Sequence, residues 1–291
     1  MCIRDRIITF KIDEKSAGMQ IRDYLRGFGV SSALLTKLKQ TENGITKNGI
    51  FAKAIEKIEC GDELTICIKS EGTMPKPADL PLDIIYEDED VLALNKPAAM
   101  PVHESRNHRG DTLSNAVANY MKGKRDSAFR AVFRLDRDTS GIVLTAKNEL
   151  AAAKLAGKIK KDYYAVVCGE IAGKGTIDAP IRRLGDSIIK RGVFEDGDSA
   201  ITHYESIKTN GKYTLLKINL ETGRTHQIRV HFSNIGHPLA GDDLYGGSRA
   251  DIARQALHCK AICFTHPVKG KKITLECDFP PDMEKLIEEM K

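Results

Sequence analysis

Residues 133–141, FRLDRDTSG, place Asp136 between Arg134 and Arg137, just before a Thr-Ser-Gly turn and the apolar run Ile142 to Ala146. Taken alone, an aspartate so flanked is a surface ion pair that contributes little. With the turn and the apolar strand behind it, the same aspartate is a carboxylate on a loop carried by a rigid element, able to act as nucleophile or electrostatic partner. Asp138, a second acid in the loop, is its internal rival. KDYYAVVCGE, residues 161–170, alternates with strand period and puts Lys161 and Tyr163 on one face. ETGRTHQIRVHF, residues 221–232, reads as a strand over 226–232, with Gln227, Arg229 and His231 on one face and His226, Ile228 and Val230 on the other. A polar strand face is unusual unless it meets water or a ligand.

Several chemistries are excluded by inspection: there is no GxGxxG after a strand, no GxxxxGK[ST], no HExxH and no GxSxG. HCKAICFTH offers His258, Cys259, Cys263 and His266 to a metal. On a strand, however, His258 points away from the face shared by the two cysteines, so buried thiols are the better reading. Tyr163, Tyr164 and Arg229 would each pass as core or ion-pair residues in isolation; only their joint occurrence with Asp136 suggests a site.

These segments, with NKPAAMPVHES before them and GHPLAGDDLYGG and LHCKAICFTHP after them, resemble the RluA-type pseudouridine synthases over residues 82–281. The pair RLDxxTSG and TGRTHQIR carries the likeness. The resemblance implies an isomerase of RNA uridines that uses neither metal nor organic cofactor. It assigns Asp136 to the catalytic aspartate, Tyr163 to the active-site tyrosine and Arg229 to the arginine paired with the aspartate. Arg134 matches a position that helps displace the target base, and Arg224, His226 and Gln227 are expected to bind substrate. Phe133 stands where relatives often carry histidine. Such an isomerisation breaks an N-glycosidic bond, turns the uracil and rejoins it through carbon. A poorly solvated carboxylate kept ionised by an arginine suits it, and a tyrosine can stack on the base and move a proton. The base must leave its stack, and an inserted Arg134 would fill the gap. Attack on the base, attack on the sugar and elimination to a glycal all fit.

The elements that position these residues follow from periodicity. Ile21, Tyr24, Leu25 and Phe28 form a helical stripe ending near Gly27 to Gly29. Ser31 or Ser32 then caps a second helix with Leu34, Leu35 and Leu38 inward, leaving Lys37 and Lys39 toward solvent or a phosphate. Short strands follow, joined by turns at Asn48-Gly49 and Gly61-Asp62. This stretch, 10–68, resembles the αL-type RNA-binding domain of ribosomal proteins and tyrosyl-tRNA synthetases. Residues 1–9, beginning MCIRDR like a translated sequencing adapter, are expected to be a non-native or disordered start, and the proline-containing 69–81 an exposed linker. In the second domain, 82–291, a hairpin turns at Glu87 to Asp90. Strand-like runs follow at 142–146, 163–168, 213–220, 226–232, 257–264 and 272–277, with helical patterns at 111–122, 148–160 and 281–290. The expected fold is α+β: a small N-terminal RNA-binding domain ahead of a catalytic domain built on a largely antiparallel mixed sheet with flanking helices.

Bulk properties fit this reading. Lys and Arg number 45 against 40 Asp and Glu, a net charge of +5 that permits nucleic acid without demanding it. The 7 cysteines lack a CxxC pair, which argues against a disulfide framework and for a reducing, cytoplasmic setting. No apolar stretch approaches bilayer length. The expected partner is RNA, large-subunit ribosomal RNA first and tRNA as the alternative, acted on by a monomer without membrane contact. A ribosome-assembly factor with a vestigial site is the rival class, and a pure binder has no need of Asp136, Tyr163 and Arg229 together.

Overall fold

The computed structural model describes residues 5–69, 74–123, 129–185, 187 and 189–290. Its N-terminal unit contains β1 (Arg6–Lys11), α1 (Ile21–Phe28), α2 (Ser32–Gln40), β2 (Ile45–Lys47), β3 (Ile50–Phe51) and β4 (Glu63–Ile68). Ile21 and Leu25 of α1 and Leu34, Leu35 and Leu38 of α2 are buried against the sheet β1-β4-β2-β3. Ser31 caps α2 by accepting the Leu34 N–H, and Gly29, at φ 108°, ends α1 in the left-handed region. Asn48 and Gly49 take positive φ values, 52° and 79°, as a tight two-residue hairpin turn requires.

Two expectations for this part are corrected. Residues 6–9 are not a disordered start, because β1 pairs with β4 from Arg6↔Ile68 to Lys11↔Glu63. The linker is not wholly exposed: Asn115 Nδ2 donates to Lys76 O at 2.7 Å, and Met74, Leu80 and Leu82 pack against the second core. A proline-rich stretch can be laid along a surface by backbone bonds that composition does not reveal.

The second unit runs β5 (Asp83–Glu87), β6 (Val91–Lys96), α3 (Leu113–Met121), β7 (Arg130–Ala131), β8 (Ser140–Ala146), α4 (Glu149–Leu155), β9 (Lys160–Cys168), β10 (Lys174–Asp178), β11 (Ile181–Arg183), β12 (Arg191–Val193), β13 (Ile201–Thr209), β14 (Tyr213–Leu220), α5 (Gln227–Asn234), β15 (Leu257–Thr265), β16 (Lys272–Glu276) and α6 (Pro281–Glu288). Its main sheet has the order β10-β13-β14-β9-β15-β8-β6-β5, with β7 beside β8 and β16 beside β15. β15 and β8 run parallel while the other described pairs of this sheet are antiparallel, so the fold is α+β on a mostly antiparallel sheet. Along β9, Tyr163, Ala165 and Val167 face one core with Phe232 of α5, while Val166 faces the other with Met283 and Leu286 of α6. Among the described residues, no helix is long and apolar enough to cross a membrane.

The stretch 226–232 is corrected from strand to helix. Gln227 through Phe232 are all buried, so α5 shows no polar face by which the 3.6-residue period could be recognised. The expected helix over 148–160 is also shorter, giving way to β9 at Lys160.

The two units are fastened together. Leu150 of α4 is buried in the N-terminal core, and Lys154 donates to Phe28 O at 2.7 Å with its ammonium 3.8 Å from the Phe28 ring centroid. Arg6 grips the buried Asp90 with Nε and Nη2, each at 2.8 Å. Lys37, expected to face solvent or a phosphate, bonds Glu149 of α4 at 2.6 Å.

The parallel contact of β8 with β15 depends on Gly141. It sits at φ 112°, and a Cβ there would lie 2.3 Å from Cys259 O and 2.6 Å from Cys259 N. Gly141→Ala should therefore cost at least about 3 kcal/mol in urea denaturation, since both the backbone conformation and the strand separation oppose it. A loss under 1 kcal/mol would mean that the two strands separate cheaply.

Candidate active site

Asp136 lies in the loop between β7 and β8, whose ends are joined by the pairing of Ala131 with Thr145 and by Val132 N–H to Leu144 O. Two buried or half-buried cations clamp the loop. Lys96, fully buried, donates from Nζ to Pro97 O at 2.7 Å, Met100 O at 2.8 Å and Arg137 O at 2.9 Å. Burial pushes this ammonium down to about 7, but three carbonyl acceptors match its three donors. Arg254 donates to Asp138 O at 3.0 Å and to Ser140 Oγ at 3.3 Å. The rival acid, Asp138, is held by Arg137 through two bonds of 2.9 Å. That leaves the half-buried Asp136 facing the cleft.

The cleft, about 840 Å³, is lined by every catalytic and substrate-binding residue expected from the sequence: Arg134, Asp136, Tyr163, Arg224, His226, Gln227 and Arg229. Lys161 joins Tyr163 on the cleft face of β9, its Nζ 4.9 Å from the Phe133 ring centroid. Burial lowers the Lys161 ammonium. Tyr163 is 5% exposed, and burial, then Cys259 and Asp136, raise its hydroxyl well above the ordinary value. It therefore remains a neutral phenol and not a phenolate.

Arg229 differs from expectation in its partner. Its fork closes on Asp242, Nε to Oδ2 at 2.7 Å and Nη2 to Oδ1 at 2.8 Å, and only Nη1 reaches Asp136 Oδ2, at 3.3 Å. Burial opposes its charge, yet Asp242 and then Asp136 raise its pKa overall. Asp242 is buried in the GHPLAGDDLYGG segment, where one of two adjacent aspartates gave no sign of its partner. Tyr245 from the same segment accepts the Arg191 N–H at 3.0 Å and lies 2.9 Å from His226 Nδ1. The opposite ring nitrogen of neutral His226, Nε2, lies 3.8 Å from Asp136 Oδ2. Burial lowers the His226 pKa and favours this neutral form. His226 reaches this position from a left-handed backbone, φ 59°, at the start of α5.

Gln227 lines the cleft with its amide engaged by the fold. Its Oε1 accepts from Thr222 Oγ1 and Arg224 N, and its Nε2 donates to Ile201 O and Thr202 Oγ1, so the amide is saturated and holds the loop before α5. His231 is likewise spent on Thr202 and Ala179 O. Arg224 is exposed, donating to Ser199 O at 3.0 Å. Lys39 is exposed on α2, outside the cleft lining. The four side chains of the HCKAICFTH segment do not share one set of contacts: His258 bonds Ser140 and Cys277, and His266 bonds Asp88.

Comparison with known proteins places these features in a family. Residues 90–234 match the family described as RNA pseudouridylate synthase. The uncharacterized RNA pseudouridine synthase YjbO of Bacillus subtilis (strain 168) is 41% identical over 281 residues, covering 92% of this chain and 98% of its own. Ribosomal large subunit pseudouridine synthase D of Escherichia coli (strain K12) is 37% identical over 260 residues, covering 82% and 80% respectively. The solved structure of human RNA Pseudouridylate Synthase Domain Containing 1 shares the fold with a TM-score of 0.58, at 24% identity over 75% of this chain and 97% of that one.

The Arg229 and Asp242 pair is a buried ion pair, with side chains 8% and 0% exposed. Arg229→Met strands a buried carboxylate and should cost about 3–5 kcal/mol in chemical denaturation. Adding Asp242→Leu to Arg229→Met removes the stranded charge and should recover part of that loss. A double variant no more stable than Arg229→Met would show that the stranded charge is not the cause.

Proposed function

From the premise that the chain belongs to the RNA pseudouridylate synthase family, as an RluA-type enzyme, we propose that it isomerises uridines of large-subunit ribosomal RNA with Asp136 as the acting carboxylate. The observation that carries this reading is the meeting of Asp136, Tyr163 and Arg229 in one cleft wide enough for a flipped nucleotide. In the reaction the bond from C1′ to N1 breaks, a bond from C1′ to C5 forms, the C5 proton leaves and N1 gains one. Asp136 acts on the nucleotide, oriented by Arg229 Nη1 and faced by His226. Tyr163 lies against the base, its protonated hydroxyl available for hydrogen bonding. Arg134, exposed on the cleft wall, enters the RNA stack in place of the base. Arg224 contacts the RNA beside it.

Ribosomal RNA is favoured because relatives at 37% identity carry large-subunit ribosomal names. The N-terminal unit is taken to add RNA contacts, with Lys39 among them and Lys37 serving the attachment to α4. Action as a monomer in the cytoplasm completes the proposal, supported for the compartment by cysteines 60, 67, 168, 259, 263 and 277, all free thiols.

Pseudouridine mapping of ribosomal RNA and tRNA from cells lacking the gene, complemented with variants, tests the reading. Asp136→Asn should lower single-turnover isomerisation by on the order of a thousandfold or more while RNA affinity stays within a few-fold, because shape is kept and charge lost. Asp138→Asn should retain most activity. Arg229→Lys, which keeps charge but loses the fork, should fall roughly ten- to a hundredfold. The reverse order of the two aspartate variants would move the carboxylate role to Asp138, and restored sites confined to tRNA would overturn the ribosomal substrate.

A further inference from the structure

The hairpin of β11 and β12 contains three arginines with unequal partners. Arg182 bonds Asp196 through Nε at 2.7 Å and lies 3.7 Å from the Phe194 ring centroid. Arg183 and Arg191, directly opposite each other in the hairpin register, have no acidic partner among the described residues. Like charges directly across a strand pair repel. Arg191 lines the cleft beside His226 and Arg224, and its Nη1 is shut off from solvent with no hydrogen-bond partner among the described residues. A desolvated guanidinium nitrogen with no acceptor is unfavourable unless a ligand supplies one. Arg191 is nevertheless held in place: its N–H donates to Tyr245 Oη, the hydroxyl that also bonds His226, and β12 packs against α5, which carries Arg229.

An anionic acceptor for Arg191 comes with the substrate. Asp136 is already faced by Arg229 and His226, and the other acid lining the cleft, Glu104, accepts from Asn115 at 2.9 Å. RNA brings one phosphate per nucleotide, and a guanidinium fork matches phosphate oxygens. Taking the proposed RNA chemistry of the cleft as given, we propose that Arg191, with Arg183 across the hairpin, holds a phosphodiester of the RNA strand where it passes the cleft. The site is a backbone contact: it fixes the position of the strand and carries no sequence information itself. Arg191 is thus a positioning residue, and its effect falls on binding before it falls on the chemical step.

The test is the salt dependence of binding to transcribed large-subunit ribosomal RNA, measured by filter retention with the full chain and independently of turnover. Each lost phosphate contact should lower the slope of log K against log[KCl] by about 0.7 to 0.9. Arg191→Met is expected to show that drop, with Kd raised several-fold at moderate salt and a saturated single-turnover rate reduced no more than about threefold. Arg183→Met should lower the slope similarly, and Arg191→Lys should restore it, which a variant that had merely misfolded would not allow. An unchanged slope in Arg191→Met, or a slope that Arg191→Lys fails to restore, would overturn the phosphate contact. A large loss of saturated rate at unchanged slope would also overturn it, since the arginine would then act on an anion formed during the reaction, such as the detached uracil. If the wild-type protein binds this RNA but isomerises no uridine in it, the ribosomal substrate fails while the slope comparison still decides the contact.

Discussion

A guanidinium can close a fork on one carboxylate and still have a nitrogen to spare, and the candidate site is organised by how Arg229 uses that surplus. Asp242 takes Nε and Nη2, which leaves Nη1 aimed at Asp136. The buried carboxylate thus determines where the cleft carboxylate is met. Asp242 is flanked by two glycines that admit no side chain: a Cβ on Gly241 would lie 1.9 Å from Arg254 O, and one on Gly247 would lie 1.9 Å from Leu239 O. Arg254 in turn clamps the Asp136 loop through Asp138 O and Ser140. Small residues, buried charge and loop position therefore form one chain of dependence.

The sequence was most legible where periodicity and motif coincide. The α1 stripe, the Ser31 cap, the Asn48-Gly49 turn and the shared face of Lys161 and Tyr163 all depend on local spacing, and the structure contains each of them. The motif residues converge on one cleft from a loop, the strand β9 and the first turn of α5. What was not legible depends on long-range partners. Whether Arg229 grips Asp136 or Asp242 is decided by a loop 13 residues further on, and the Gln227 amide is completed by Ile201 and Thr202 from a separate strand. The helix α5 escaped because its run Gln227 to Phe232 is buried throughout and shows no amphipathic period. Lys96 sat in a motif recognised by likeness, yet nothing local indicates a lysine with three carbonyls and no carboxylate.

The attachment of the two units redistributes the roles of basic residues. Lys37 looks like an RNA ligand by charge and instead joins α2 to α4, while Lys154 joins α4 to α1. Arg6, set aside with the first residues of the chain, neutralises the buried Asp90 at the turn of the β5 and β6 hairpin. Asp90 also accepts from Asn148, the residue that caps α4. The helix on which the N-terminal core rests is thus anchored from the same carboxylate that receives β1.

The pairing of β8 with β15 also constrains when the enzyme can come into being. Ser140 and His258, bonded at 2.9 Å, are separated by 118 residues of chain, and the intervening stretch supplies β9, β14 and α5. Contacts so distant in sequence form late, after local hairpins and helices. During synthesis the N-terminal unit and the Asp136 loop emerge well before Arg254 and β15 exist to hold that loop. A nascent chain can therefore possess its folded N-terminal unit while lacking a formed cleft. The cleft is complete only with β15 in place between β9 and β8.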